Sequence, residues 1–179
     1  LAVWETSTGN LRWGPTPTDA PVSSLALSAD GNRLAAGLGN GKTLLYTRDA
    51  AQPQELRAPT ERPIATVAFS ADGRWLAGGS EDGAVMVWNE GGRLHWQSIK
   101  HQTSITALAF EPFSDVLTIA SEDVGLTRWS VVDRQPVGTD LRGNAEWIRS
   151  LAFSSDGHWL ATVSDDRMIR SWTRQREGQ

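Results

Sequence analysis

Apolar positions along this chain come in short runs of five or six, cut by polar turn signals, and never at helical period. "IATVAF" (64–69) reads as a strand by its β-branched and aromatic content. "SADG" follows as a turn, with Gly73 free to take positive φ. "RWLAGGS" is the next strand, "EDG" turns again, and "AVMVW" is the third. A fourth, more polar strand closes the unit: "RLHWQSI" here, "QPQELRA" before it and "RQPVGTD" after it. The first three strands are apolar on both faces and carry small residues such as Ala77, Gly78 and Gly79, where a half-exposed sheet would alternate. Each sheet must therefore be covered on both sides.

The cover is supplied by repetition. "LSADGNRLAAGLGNGKTLLY", "FSADGRWLAGGSEDGAVMVW", "FEPFSDVLTIASEDVGLTRW" and "FSSDGHWLATVSDDRMIRSW" are four versions of one phrase. The closing aromatics Trp4, Tyr46, Trp88, Trp129 and Trp172 are spaced by 42, 42, 41 and 43 residues, and the opening residues Leu27, Phe69, Phe110 and Phe153 keep the same steps. Four-stranded antiparallel sheets of this length, stacked face to face about an axis, make an all-β propeller. The expected layout is a partial blade at 1–15, blades at 16–58, 59–99 and 100–142, a partial last blade at 143–173 and a polar tail at 174–179.

The phrase resembles the WD40 repeat over nearly the whole chain. Lys100–His101 stands nine residues before Phe110, where that family has Gly-His, and Gly143–Asn144 stands nine before Phe153. The turn aspartate six residues before the closing aromatic is Asp82, Asp123 or Asp166, with Asn40 in the first copy. The resemblance implies that the His, a Ser or Thr of the second strand, this Asp and the Trp are linked by buried hydrogen bonds. No copy holds all four. His101 and Asp123 are accompanied by Ile119, Thr162 and Asp166 by Asn144, and the copy ending at Trp88 has Gly78 and Thr60. The Asp that follows the Trp in the family is replaced by Glu5, Thr47, Asn89, Ser130 and Thr173. The style of "FSADGRWLA" suggests bacterial-type repeats attached to signalling enzymes.

Composition narrows the function. A net charge of −4 with scattered Lys and Arg argues against a nucleic-acid surface, which needs a concentrated basic patch. The absence of cysteine excludes disulfides, thiol catalysis and Cys-based zinc sites. No apolar run reaches membrane-spanning length, and a cytoplasmic protein with no membrane partner fits. "GLGNGKT" (37–43) nearly spells a phosphate-binding loop, but "TLLY" continues it as a strand, whereas such a loop needs a helix N-terminus. His95, His101 and His158 lack metal-ligand spacing, each "SADG" turn holds too few carboxylates for calcium, and no nucleophile elbow occurs. No enzyme activity and no cofactor are expected.

What remains is surface. In propellers of this family the loop entering the first strand shares a rim with the turn between the second and third. Glu81, Glu122 and Asp165, each just before a turn aspartate, would form an acidic arc there, with Glu61 and Glu146 from the entering loops. Trp147 is the candidate aromatic anchor. Trp75 and Trp159 share one register and are expected between blades; Trp13 and Trp96 belong to outer strands. The expected function is a protein–protein interaction scaffold or sensor, within a larger protein, that takes a protein or peptide of basic character. The alternatives are an enzyme using the central channel and an architectural spacer. The remaining blades are expected from the parent chain or from self-association, since the first and last units are incomplete.

Overall fold

The computed structural model describes all residues except 1, 15, 49, 51, 59, 99, 100, 124 and 174–179, and omits the side chains of 12, 13 and 98. The polar tail, Lys100 and the Trp13 ring therefore lie outside the described residues. The rest forms antiparallel sheets without a helix. A two-stranded sheet of β1 (Val3–Trp4) and β2 (Leu11–Trp13) comes first. Next is β3 (Val22–Leu27), β4 (Arg33–Leu38), β5 (Thr43–Thr47) and β6 (Gln54–Leu56). The third sheet is β7 (Ile64–Phe69), β8 (Trp75–Ser80), β9 (Val85–Asn89) and β10 (Leu94–Ser98). The fourth is β11 (Ile105–Phe110), β12 (Val116–Ser121), β13 (Gly125–Ser130) and β14 (Gln135–Pro136). The last is β15 (Ile148–Phe153), β16 (Trp159–Ser164) and β17 (Ile169–Thr173). Strands follow one another across each sheet, and the leading strands β3, β7, β11 and β15 touch in succession. This is the stacked-blade architecture read from the repeat.

One device closes three of the first hairpins. Ser28, Ser70 and Ser154 accept the N–H of Arg33, Trp75 and Trp159 at 2.9, 3.0 and 2.9 Å. Each hydroxyl donates to the Asp two residues on, Asp30, Asp72 or Asp156, at 2.5, 2.7 and 2.5 Å. That carboxylate in turn accepts the N–H of Asn32, Arg74 or His158. The chain then reverses through Gly31, Gly73 and Gly157, all near φ +70°. The Ser28 hydroxyl and the Asn32 amide hold the Asp30 carboxyl down at about 2. The fourth hairpin departs from this pattern: Glu111 replaces the serine, is buried, and turns to Arg128 on β13 through bonds of 2.5 and 3.0 Å.

Between blades the chain closes up to van der Waals limits. Gly37 lies against the Ile64 side chain so closely that a Cβ would come 2.7 Å from Ile64 Cγ2. Gly79 meets Ile105 in the same way, and Ala120 shares a core cluster with Ile148. The same register therefore puts a small residue of one blade against the Ile that opens the next. In the blade of β7–β10, Gly78 leaves room for the Trp88 ring, whose atoms would be 3.0 Å from a Cβ there. The ring thus fills the place of a hydroxyl, and the Trp88 Nε1–H donates to the Arg57 carbonyl at 3.1 Å.

Two expectations are corrected. Trp75 packs into the core between blades and lies against His95 with ring centroids 4.5 Å apart, but Trp159 is 52% exposed because no blade covers that face. Ile169 is 76% exposed where its counterparts Val85 and Leu126 are fully buried, for the same reason. The outer strand expected over 134–140 shrinks to Gln135–Pro136 with an isolated bridge from Leu126 to Leu141, since Pro136 has no N–H for the ladder.

The packing argument has a direct test. Gly37→Val should destabilise the chain by about 1–3 kcal/mol through overpacking against Ile64. Gly125→Ala, with nothing within 4 Å of the new methyl, should be neutral or stabilising by up to about 1 kcal/mol. Urea titrations of both variants would show equal effects if blade spacing did not matter.

Candidate interaction rim

One backbone hydrogen bond recurs in the four larger sheets and builds the rim. The residue opening the turn between second and third strands donates its N–H to the carbonyl just before the first strand. The pairs are Gly39 to Pro21 at 2.9 Å, Glu81 to Pro63 at 3.0 Å, Glu122 to Ser104 at 3.1 Å and Asp165 to Trp147 at 3.0 Å. Turn and entering loop are thereby tied together at one end of each sheet. Glu61, Glu81, Glu122, Glu146, Trp147 and Asp165 all lie on these loops, and all but the half-buried Glu122 are exposed.

The charge on this rim is less uniform than the sequence reading has it. Arg149, on β15, grips Asp165 through two bonds of 2.8 and 2.5 Å. Arg149 holds the Asp165 carboxyl below the usual range, and Asp165 and Glu122 together raise the guanidinium. The same guanidinium lies 5.3 Å from the Trp147 ring centre, a cation–π contact. Asp165 is therefore a neutralised acid, while Glu81 and Glu122 form no ion pair among the described residues. Sequence reasoning missed Arg149. The signal was its register: Ser23, Ala65 and Thr106 fill that place in the other blades.

The turn aspartates act locally. Asp82 accepts Thr60 Oγ1–H at 2.7 Å, the Ala84 N–H at 3.2 Å and the Ser80 hydroxyl. Asp166 accepts the N–H groups of Ala145 and Met168, each at 2.9 Å, and pairs with Arg170 at 2.7 Å. The Ala145 amide does most to draw its carboxyl down to about 2. Asp123 is exposed and makes none of these bonds among the described residues. The buried His101 has Nε2 at 3.4 Å from the hydroxyl of Thr127, a β13 residue that stands in for the hydroxyl Ile119 lacks. In the last blade Trp172 Nε1–H donates to Thr162 at 3.3 Å and Thr162 to Asn144 at 3.4 Å, so Asn144 serves where the family has His. Tyr46, Trp88 and Trp129 are buried, and Trp4 is exposed at the open end.

"GLGNGKT" spans the end of β4, a turn and the start of β5. Lys42 is held between Asp19 at 2.8 Å and Glu55 at 3.1 Å. No group of three or more His, Asp or Glu among the described residues could hold a metal ion.

The family model described as "WD domain, G-beta repeat" matches residues 52–89 and 134–173. Those two segments are WD40 repeats. Among relatives of these WD40 repeats, apoptotic protease-activating factor 1 of Rattus norvegicus is 33% identical over 72 residues, 40% of this chain and 6% of that protein. Nuclear distribution protein PAC1 of Tuber melanosporum is 33% identical over 86 residues, 46% of this chain and 19% of that protein. The chain thus spans less than a fifth of the curated relatives it matches. In fold it is similar to the crystal structure of the RRP9 WD40 repeats, with a TM-score of 0.77 at 17% identity, covering 88% of this chain and 49% of that one.

Two measurements check these assignments. Asp166 has a folded-state value of about 2 against an ordinary 3.8, so its contribution is full above about pH 4 and lost as pH falls through 2. Asp166→Asn should therefore lower the melting temperature at neutral pH, and the gap should close on acidification; a gap independent of pH would contradict this. Titration of ATP with magnesium should give no heat, whereas saturable binding lost in Lys42→Ala would restore the nucleotide reading.

Proposed function

We propose that these WD40 repeats form a protein–protein interaction module whose rim docks a basic segment. The observation that carries this reading is the recurring N–H to carbonyl tie, which holds Glu81 and Glu122 at equivalent places on fixed loops. Propellers of this kind serve in general as interaction scaffolds. Two carboxylates held in place steer an oppositely charged partner more than they add affinity. Trp147, 40% exposed and capped by Arg149, flanks the acids as an aromatic wall for an aliphatic stem. The module acts as scaffold or sensor within a longer protein, whose further blades would cover the faces bearing Leu27 and Ile169. The relatives reported above are eukaryotic and lend no support to a bacterial signalling setting.

The test is the affinity for a fluorescent peptide alternating lysine and serine, measured at low and high salt. Glu81→Lys with Glu122→Lys should weaken binding about three- to tenfold at low salt, with the difference shrinking at high salt. Arg149→Gln should tighten it by freeing Asp165. Equal affinities for all variants at low salt would refute the docking rim.

A further inference from the structure

The opposite end of the sheets holds a second surface, independent of the rim. A cleft of about 760 Å³ opens between the hairpin β7–β8 and the turns of the next blade, lined by Asp72, Arg74, Phe113, Asp115, Val132 and Asp133. Its wall is where the repeat departs from its own pattern. In three hairpins the residue two after the opening serine is an Asp that ties the turn together. At that place in the fourth stands Phe113, 87% exposed, at φ +59°, a conformation that costs a bulky residue energy. Nothing in the turn asks for an aromatic. Ser114 Oγ takes the Val116 N–H at 3.0 Å, and Glu111 has been redirected to Arg128, so the hairpin is closed without the Phe113 side chain. Val132, also exposed, adds a second apolar surface across the cleft.

The charges in the cleft are asymmetric. Arg74 is already paired with Asp72 at 2.5 Å. Asp115 and Asp133 both converge on the Ser130 hydroxyl, at 2.7 and 3.1 Å. That hydroxyl has one proton, and its lone pairs are drawn on by the Asp133 N–H at 3.0 Å. One carboxylate therefore goes without it, and the Oδ1 atoms of both make no hydrogen bond among the described residues. The Ser130 hydroxyl helps keep Asp115 below the ordinary carboxylate range, hence ionised. Three carboxylates against one cation leave a net negative cleft with an aromatic face and an aliphatic wall.

We propose that this cleft is a second docking site, which takes a protein segment carrying an arginine or lysine next to an aliphatic residue. The cation lies between Asp115 and Asp133, its stem along the Phe113 ring, and the aliphatic neighbour packs on Val132. A metal ion does not explain the site, since no grouping of carboxylates among the described residues is close enough to hold one.

The full chain, labelled with nitrogen-15, is titrated at millimolar concentration with the capped peptide Gly-Arg-Leu-Gly and its Gly-Gln-Leu-Gly counterpart. The arginine peptide should shift the amides of Ser114, Asp115, Val132 and Asp133 saturably, and the glutamine peptide should not. Asp133→Asn should weaken this binding about threefold. Phe113→Gly should weaken it about tenfold while raising the melting temperature, because glycine relieves the positive φ and the ring supports nothing in the fold. The proposal falls if neither peptide shifts these amides, if both shift them equally, or if the shifts map to the rim of Glu81 and Glu122. It also falls if Phe113→Gly lowers stability, since Phe113 would then be a structural residue.

Discussion

Everything in this molecule depends on how closely one sheet can approach the next. A sheet that is apolar on both faces has no stable existence in water, and its neighbours must come near enough to expel that water. The approach is set by a small residue meeting an isoleucine: Gly37 on Ile64, Gly79 on Ile105, Ala120 with Ile148. Where the series stops, the same register positions change character. Val163 and Val22, which would be the small residue and the isoleucine of another junction, are both partly exposed. Burial here is a property of the stack, not of the residue.

Local turn chemistry complements the stack by satisfying the hairpin backbone within each sheet. The serine–aspartate device satisfies the backbone of the tight hairpins with two short side chains and a glycine. Its replacement in the fourth blade is instructive. Glu111 and Arg128 move the stabilising contact inward to a partly buried, two-bonded ion pair. The turn itself is thereby released from its structural duty and can carry an exposed aromatic.

The strands, their order and the stacked arrangement were legible because the repeat writes each of them several times, so noise in one copy is corrected by the others. The equivalence of Glu81, Glu122 and Asp165 was legible on the same grounds. What escaped was pairwise. The grip of Arg149 on Asp165 joins residues 16 positions apart, and no periodicity announces it. Thr127 standing in for a hydroxyl at Ile119 depends on which strand faces His101. The cleft beside Phe113 escaped because repeat reasoning values agreement between copies, and this site exists only where one copy disagrees. The exposure of Trp159 depends on an absent neighbour rather than on its own surroundings.

The ties that build the rim run from backbone to backbone, from the amides of Gly39, Glu81, Glu122 and Asp165 to carbonyls across the gap. No side chain takes part in them, and a glycine serves as well as a glutamate. The frame therefore leaves the chemical identity of the presented residues unconstrained. Glycine, glutamate and aspartate at one architectural place are variants on a fixed mount. A lineage could replace them one at a time, and so change what the protein recognises, while the sheets beneath register nothing.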